Sequence, residues 1–510
     1  MKIGLLPLDE RPANTRYPTM VAAIAGAEVL LPPAAALGAG RRPADRAALG
    51  AWLADAAPAL DGLIVSLELL GYGGLIASRT GDEPAAAVLA RLELLRQLRR
   101  EHPRLPVYGF SVVTRVSNAN DAVEEPAYWA EYGERLYALS QLLDRRRRGH
   151  DVGDKLARLE AAVPAAHRRD WLRRRLRNHA VNLAALGLLE DGALDLLVLS
   201  SDDTSPYGLP SAEKAWLAGW ADLLGLAPGA GGAAGPLLMY PGADEVACAL
   251  VARMLNERAG AAAAVAVRSA PPEAAANVAA YEDGTISLTV ERQTLAAGGR
   301  LAAGEADLWL GVNAPLARRA EWDPAHAAEE RDTRREALAA LVAEARGLLA
   351  RADGPLVAIA DVAYPNGADP ALVELMLAEL DLAGLAAYGA WNTAGNTVGT
   401  TIAQGFAALL CDGAAGRAAH ERLLAHRLLE DWGYQHLVRA EVRSWLRERT
   451  GHHDPRTPAD AEAARRRIEA GLAAALARLP GLGARYAIAP GSVRMPWGRT
   501  FEVDFDLIAR

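Results

Sequence analysis

Leu196-Leu197-Val198-Leu199-Ser200-Ser201-Asp202-Asp203-Thr204-Ser205-Pro206-Tyr207-Gly208 decides how this chain is read. Leu196 to Leu199 form an unbroken apolar run, the pattern of a strand buried on both faces of a parallel sheet. Asp202 and Asp203 follow where that strand should end, and Thr204, Ser205, Pro206 and Gly208 supply turn chemistry. A buried sheet has no use for two carboxylates at that point. Ligands of open α/β folds sit beyond the carboxyl ends of the strands, so the stretch predicts an α/β chain with an acidic site at that edge.

Upstream, short apolar runs predict strands over 2–6, 27–31, 62–67, 107–113 and 194–199, with a helix over 20–25 between the first two. Strands alternating with helical patterns signal βαβ units and a mostly parallel sheet. A long helical region over 125–188 carries Arg145-Arg146-Arg147-Arg148 and Arg173-Arg174-Arg175, which read as a solvated helix face. The Gly-, Ala- and Pro-rich segment 227–235 reads as a linker. A second series follows, with strands over 237–240, 263–267, 308–312, 356–360 and 385–388 and a helix over 246–258. Residues 286–290 read as an edge strand or part of a small insertion, and 501–505 alternate like a strand. The expected fold class is α/β, with mostly parallel sheets in two βα-repeat halves, 1–235 and 236–405, and a mainly helical C-terminal region, 406–510. An open sheet and a barrel-like closure both place strand-end residues on the loop face, and both stay open.

With 510 residues, 51% of them hydrophobic, the chain is long enough for roughly two or three domains with real cores. A formal net charge of −8 argues against a nucleic-acid partner, which a basic face would serve. Cys248 and Cys411 are too few for a disulfide framework or a cysteine-based zinc site. Acids and a proline within the first ten residues leave no room for a signal peptide, and no apolar run reads as a membrane span. A cytoplasmic protein with no membrane partner is expected; oligomeric state is not readable.

Polar residues recur at strand after strand. Asp9, Glu10, Arg11 and Asn14 follow the first, and Glu68 lies at the end of the third, where a carboxylate needs a partner such as Arg79 or Arg115. Arg115 and Asn118 follow the fourth, Asp202 and Asp203 the fifth, and Asp244 and Glu245 the sixth. The last gives Trp391-Asn392-Thr393-Ala394-Gly395-Asn396-Thr397, in which an exposed Trp391 could stack on a sugar ring or a base. Helix capping is the plain alternative for Asp244, Asp369, Asn14 and Thr15. Neighbouring carboxylates raise one another's proton affinity, which is how acid and base roles are split. The chain lacks Gly-x-Ser-x-Gly, a P-loop and His-x-x-x-His, so a serine hydrolase, a P-loop enzyme and a histidine-based zinc enzyme are not expected.

Four blocks, Pro7-Leu8-Asp9-Glu10-Arg11-Pro12-Ala13-Asn14, 202–208, Pro241-Gly242-Ala243-Asp244-Glu245 and 391–397, together with Met495-Pro496-Trp497-Gly498-Arg499-Thr500-Phe501-Glu502, resemble the signature blocks of a bacterial family, domain-of-unknown-function family 4127. The resemblance spans nearly the whole chain. It implies which blocks belong together and carries no activity.

The expected function is hydrolysis of a glycosidic or similar sugar-linked bond, since carboxylates, Asn and Arg donors and a Trp platform are the parts such a site uses. Asp202 and Asp203 are the catalytic candidates, Asp203 as general acid/base and Asp202 as orienting or charge-stabilising group, with exchange of roles open. The substrate-binding candidates are Asp9, Glu10, Arg11, Asn14, Glu68, Arg115, Asn118, Asp244, Glu245, Trp391, Asn392 and Asn396. The partner is a small molecule, a carbohydrate, and no cofactor is expected. One alternative is a hydrolase dependent on Mg²⁺ or Mn²⁺ with Asp9, Asp202, Asp203 and Glu245 as oxygen ligands. The other is a non-catalytic sugar- or small-molecule-binding protein.

Overall fold

The computed structural model describes every residue except Asp203, 227–234 and Ala317, and the side chains of His326 and Arg331. The linker expected over 227–235 therefore lies outside the described residues apart from Gly235. The chain divides into two compact units: Met1–Glu10, Glu28–Ala247 and Tyr281–Asp283 make the first, and Arg11–Ala27, Cys248–Ala280 and Gly284–Arg510 the second.

In the first unit six strands, β1 (Lys2–Leu6), β2 (Glu28–Leu30), β3 (Gly62–Ser66), β4 (Val107–Val113), β5 (Leu196–Ser201) and β6 (Leu237–Pro241), form one parallel sheet in the order β2-β1-β3-β4-β5-β6. The order has two edges, β2 and β6, so the sheet is open rather than a barrel. Every residue of β3, β4 and β5 is buried, as their continuous apolar sequences demand. Val113 pairs with Ser201 and Ser201 with Pro241, so β4, β5 and β6 end level and the polar residues after them emerge along one edge. β6 falls after the sequence boundary drawn at 235, yet it completes this sheet.

In the second unit β7 (Ala264–Ala270), β8 (Arg300–Leu301), β9 (Leu308–Asn313), β10 (Leu356–Asp361) and β11 (Ala387–Gly389) form a parallel sheet in the order β11-β10-β9-β7-β8. Asn313 pairs with both Asp361 and Ala270, so these strands also end level. After the helix Ala394–Leu409 the chain is mainly helical, and it includes a ten-residue π-helix, Leu429–Val438. Such helices are rare and are frequent at functional sites. Among the described residues no helix is long and apolar enough to cross a membrane.

The structure departs from the sequence reading in four places. The helix expected over 20–25 spans Pro12–Ile24, with a proline at its start, where a missing N–H costs nothing. Residues 286–290 open a helix, Ile286–Ala296, capped by the Thr285 hydroxyl; Ile286, Thr289, Val290, Gln293 and Thr294 are its buried face, at helical and not alternate spacing. Residues 501–505 contribute only a single bridge, Arg494 to Asp504, because Asp504 turns to the guanidinium groups of Arg16 and Arg494. The closing strand is β13 (Leu507–Ala509), antiparallel to β12 (Tyr486–Ile488).

The fourth departure concerns the second arginine run, 173–175; the first, Arg145 to Arg148, is exposed as expected. Arg173 is exposed, but Arg175 and Arg177 in the same helix, Ala165–Glu190, are buried. Arg175 forms a two-pronged pair with buried Glu213 and also donates to the carbonyls of Thr114 and Arg115 just past β4 (3.1 and 3.3 Å). Arg177 donates to the carbonyls of Ser78 and Gly81. In the other run Arg147 and Arg148 bind the buried Asp144 carboxylate at 3.0 and 2.9 Å, and Asp144 also accepts from the Gly208 N–H at 3.1 Å. These guanidinium groups therefore fasten the segments on either side of Asp202. Arg175→Ala, which strands the Glu213 charge, is expected to cost about 3–5 kcal/mol in chemical denaturation, whereas Arg173→Ala should cost less than about 0.5 kcal/mol.

Candidate functional site

At the carboxyl edge of the first sheet Arg79 is the centre of a charge cluster. The Arg79 side chain is 3% exposed, lies near the end of the helix Leu75–Thr80, and donates to Asp202 and to Glu124 (2.8 Å). Glu125 lies 3.9 Å from it, and Arg115 donates to Glu124 at 3.0 Å. Glu124 and Glu125 follow β4 on the loop before Pro126. Burial pushes the Glu125 carboxyl up to about 7 against the opposing pull of Arg79 and Arg115. Its Oε1 has no hydrogen-bond partner among the described residues. Glu125, Arg79, Arg115, Asn178, Trp129 and Trp171 line one cleft of this unit. The cleft, about 20 Å³ in volume, thus combines an acid that keeps its proton near neutrality with guanidinium donors, and Trp129 and Trp171 behind it are buried.

Glu68 stands apart from this cluster. β3 ends at Ser66, whose hydroxyl caps the helix Leu67–Tyr72, and Glu68 lies in that helix's first turn. The partners expected for it were Arg79 or Arg115. Instead its carboxyl accepts from the Ser111 hydroxyl and the Val112 N–H, both at 2.8 Å, and Asn182 donates to Ser111 at 2.8 Å. Burial outweighs these bonds and pushes the Glu68 carboxyl up to about 7.

Glu10 accepts from the Gly40 N–H at 2.6 Å, and Glu245 accepts from the Ala243 N–H at 2.9 Å. The Glu245 carboxylate packs so closely on Gly242 that a Cβ there would meet it at 2.1 Å. Asp9 and Asp244 are buried, and Asn118 is exposed on the loop after β4. Asp203 lies outside the described residues. Among the described residues no three His, Cys, Asp or Glu side chains gather as a metal would require.

Arg11, Asn14, Trp391, Asn392 and Asn396 belong to the second unit. Trp391 was expected to be exposed; it is 2% exposed and meets the Phe501 ring edge-on at 6.3 Å, so it is part of the interior. Arg11 and Arg499 both lie over the Trp497 ring, at 4.6 and 4.5 Å, and Arg11 is 3.9 Å from Glu502. The blocks around Arg11, Trp391 and Trp497 therefore meet in this unit. Asn392 holds a left-handed φ of 65°, and its carbonyl accepts from Asn366 N–H. Asn396 and Asn14 are buried, and the cap of the helix Ala394–Leu409 is Thr393. Asp369 caps the helix Pro370–Glu379, as the plain alternative has it.

Two carboxyl networks here were not selected from the sequence. Asp361, at the end of β10, accepts from Asn313 (2.8 Å) and from the Asp369 N–H (2.6 Å), while Arg334 bridges Asn313 and Asp369. Burial first, and the Asp369 charge second, push the Asp361 carboxyl up. In the π-helix Asp431 pairs with Arg427 at 2.6 Å and accepts from the Ala390 N–H at 2.6 Å. Burial and Asp431 together raise the Glu430 carboxyl well above its ordinary range. The Glu124-Glu125 and Glu430-Asp431 doublets carry the same signal as Asp202-Asp203, adjacent acids, but each lies in a segment read as helical.

A family model described as "Protein of unknown function (DUF4127)" matches residues 3–506. No curated protein and no solved structure matches the chain.

Glu68 gives a direct test of the first unit's electrostatics. Its folded-state proton affinity exceeds the ordinary one, so its stabilising protonation is fully present below about 4.5 and is lost as pH rises through about 7. Wild-type stability should therefore fall between those pH values, and Glu68→Gln should flatten that limb of a stability–pH curve measured by denaturant titration.

Proposed function

We propose, for a chain that belongs to the DUF4127 family, that the first unit's strand-end cleft hydrolyses a sugar-linked bond with carboxyl groups as its acid and base. The observation that carries this reading is the Arg79 guanidinium, bonded to Asp202 on one side and 3.9 Å from Glu125 on the other. One carboxylate is ion-paired while the other retains a proton to about 7, the division of labour that glycoside hydrolysis uses. Protonated Glu125 would deliver its proton to the leaving oxygen. Asp202 would stabilise the positive charge that develops on the sugar or draw a proton from the attacking water. Arg115 and Asn178 supply hydrogen-bond donors in the cleft.

Purified protein assayed on a panel of aryl glycosides should turn over at least one of them in the presence of chelator. Glu125→Gln and Asp202→Asn should each lower kcat by about 10²–10⁴-fold, with melting behaviour retained. The wild-type rate should fall as pH rises through about 7, where Glu125 loses its proton. Activity abolished by chelator would shift the reading to the metal-dependent hydrolase, and no turnover of any glycoside would sink it.

A further inference from the structure

The second unit contains a cavity of about 210 Å³ against the π-helix, lined among others by Trp322, Pro365, Asn366, Gln435, Arg439 and Arg443. It adjoins the Glu430-Asp431 network through Gln435, but its own charged groups are mainly cationic. Arg439 is 6% exposed, and its guanidinium faces the Phe501 ring at 5.2 Å. One of its nitrogens donates to the Gln435 carbonyl at 2.9 Å, and its Nε has no hydrogen-bond partner among the described residues. Gln435 is itself fixed, its amide nitrogen donating to Glu430 (3.0 Å) and to the Phe501 carbonyl (2.9 Å), so it orients Arg439 without neutralising it. Arg443, one turn along, donates to the Thr500 hydroxyl at 2.9 Å. Among the described residues neither arginine has a carboxylate within ion-pairing distance; Asp454 accepts from the same Thr500 hydroxyl at 2.7 Å, and Glu321 lines the cavity, engaged by the Asn366 amide at 2.8 Å.

Two partly desolvated guanidinium groups side by side repel one another, and a bound anion relieves that cost. Burial and the neighbouring Arg439 charge lower the proton affinity of Arg443, as this arrangement requires. The rest of the wall is apolar: Pro365, Ala368, Ala440 and the Trp322 ring, which stands edge-on to His436 at 4.7 Å. Burial disfavours the charged form of His436. An engineered apolar cavity of about 150 Å³ accepts benzene, so this volume suits a compact ring or short chain bearing one charged group. Asn366 is held at a left-handed φ of 59° on the cavity wall, the kind of backbone strain that persists where surroundings enforce a binding geometry.

We propose that this cavity binds a small organic carboxylate, its charge held by Arg439 and Arg443 and its apolar body against Trp322 and Pro365. The site is independent of the hydrolytic reading, because its residues lie in the other unit and its test reads binding alone. Calorimetric titration of the full-length protein with benzoate should give one site per chain. Arg443→Gln and, separately, the cavity-filling Ala440→Trp should each weaken benzoate about tenfold or more, while Arg443→Lys retains part of the affinity. Melting curves of the unliganded variants identify any that fail to fold, and Ala440→Trp leaves both arginines in place. The neutral amide, benzamide, should bind at least about tenfold more weakly than benzoate. Absence of benzoate binding, equal affinity for benzamide, or unchanged affinity in both folded variants would overturn the proposal.

Discussion

Strands buried on both faces leave polar side chains only one place to go. In both sheets the central strands are filled with Leu, Val, Ile and Ala, and their carboxyl ends lie level. Several of the acids that follow them, Asp9, Glu125, Asp244, Glu245 and Asp361 among them, are therefore placed at a strand-end edge and buried. A carboxyl so placed either finds a cation or keeps its proton, because an unpaired buried charge costs several kcal/mol, on the order of a domain's whole stability. The chain uses both solutions. Asp202 is paired with Arg79, whereas Glu68, Glu125, Asp361 and Glu430 are driven toward their neutral forms; burial raises Asp431 too, against the pull of its partner Arg427.

The sheets were legible because their signal is local. An apolar run of five or six residues that ends in Asp, Asn or Gly identifies a buried parallel strand and its loop edge without any knowledge of its neighbours. Asp202 was found that way. Glu125 was not, because its significance lies in burial beside Arg79, and the loop after β4 that carries it reads as the start of a helix. Arg175, in the run 173–175, reads as solvated for a similar reason. A run of like charges predicts exposure unless carbonyls and carboxylates elsewhere in the chain turn toward it, as Thr114 and Glu213 do. Trp391 failed in the opposite sense: its polar neighbours suggested exposure, while its contact with Phe501, more than a hundred residues away in sequence, covers it.

The π-helix shows how one irregular element can hold several strand ends. Asp431 accepts through its carboxylate from Ala390, which follows β11, and through its carbonyl from Ala368 on the loop after β10. Its neighbour Glu430 takes the Gln435 amide five residues on, the spacing of the wider π turn. Gly433 gives this helix room, since a Cβ there would come within 3.0 Å of the Ala475 methyl. Nothing in the composition of Leu429–Val438 distinguishes it from an α-helix; the widening follows from what its acids must reach.

The path of the backbone carries a consequence of its own. The chain passes from one unit to the other after Glu10, Ala27, Ala247, Ala280 and Asp283. The helix Pro12–Ile24, between β1 and β2 in sequence, packs on the helix Gly413–Leu428, far along the chain. No single recombination point can hand either unit to another protein intact. One cut in the chain therefore cannot part the two sheets cleanly: any truncation that keeps one unit either removes a segment of it or carries part of the other.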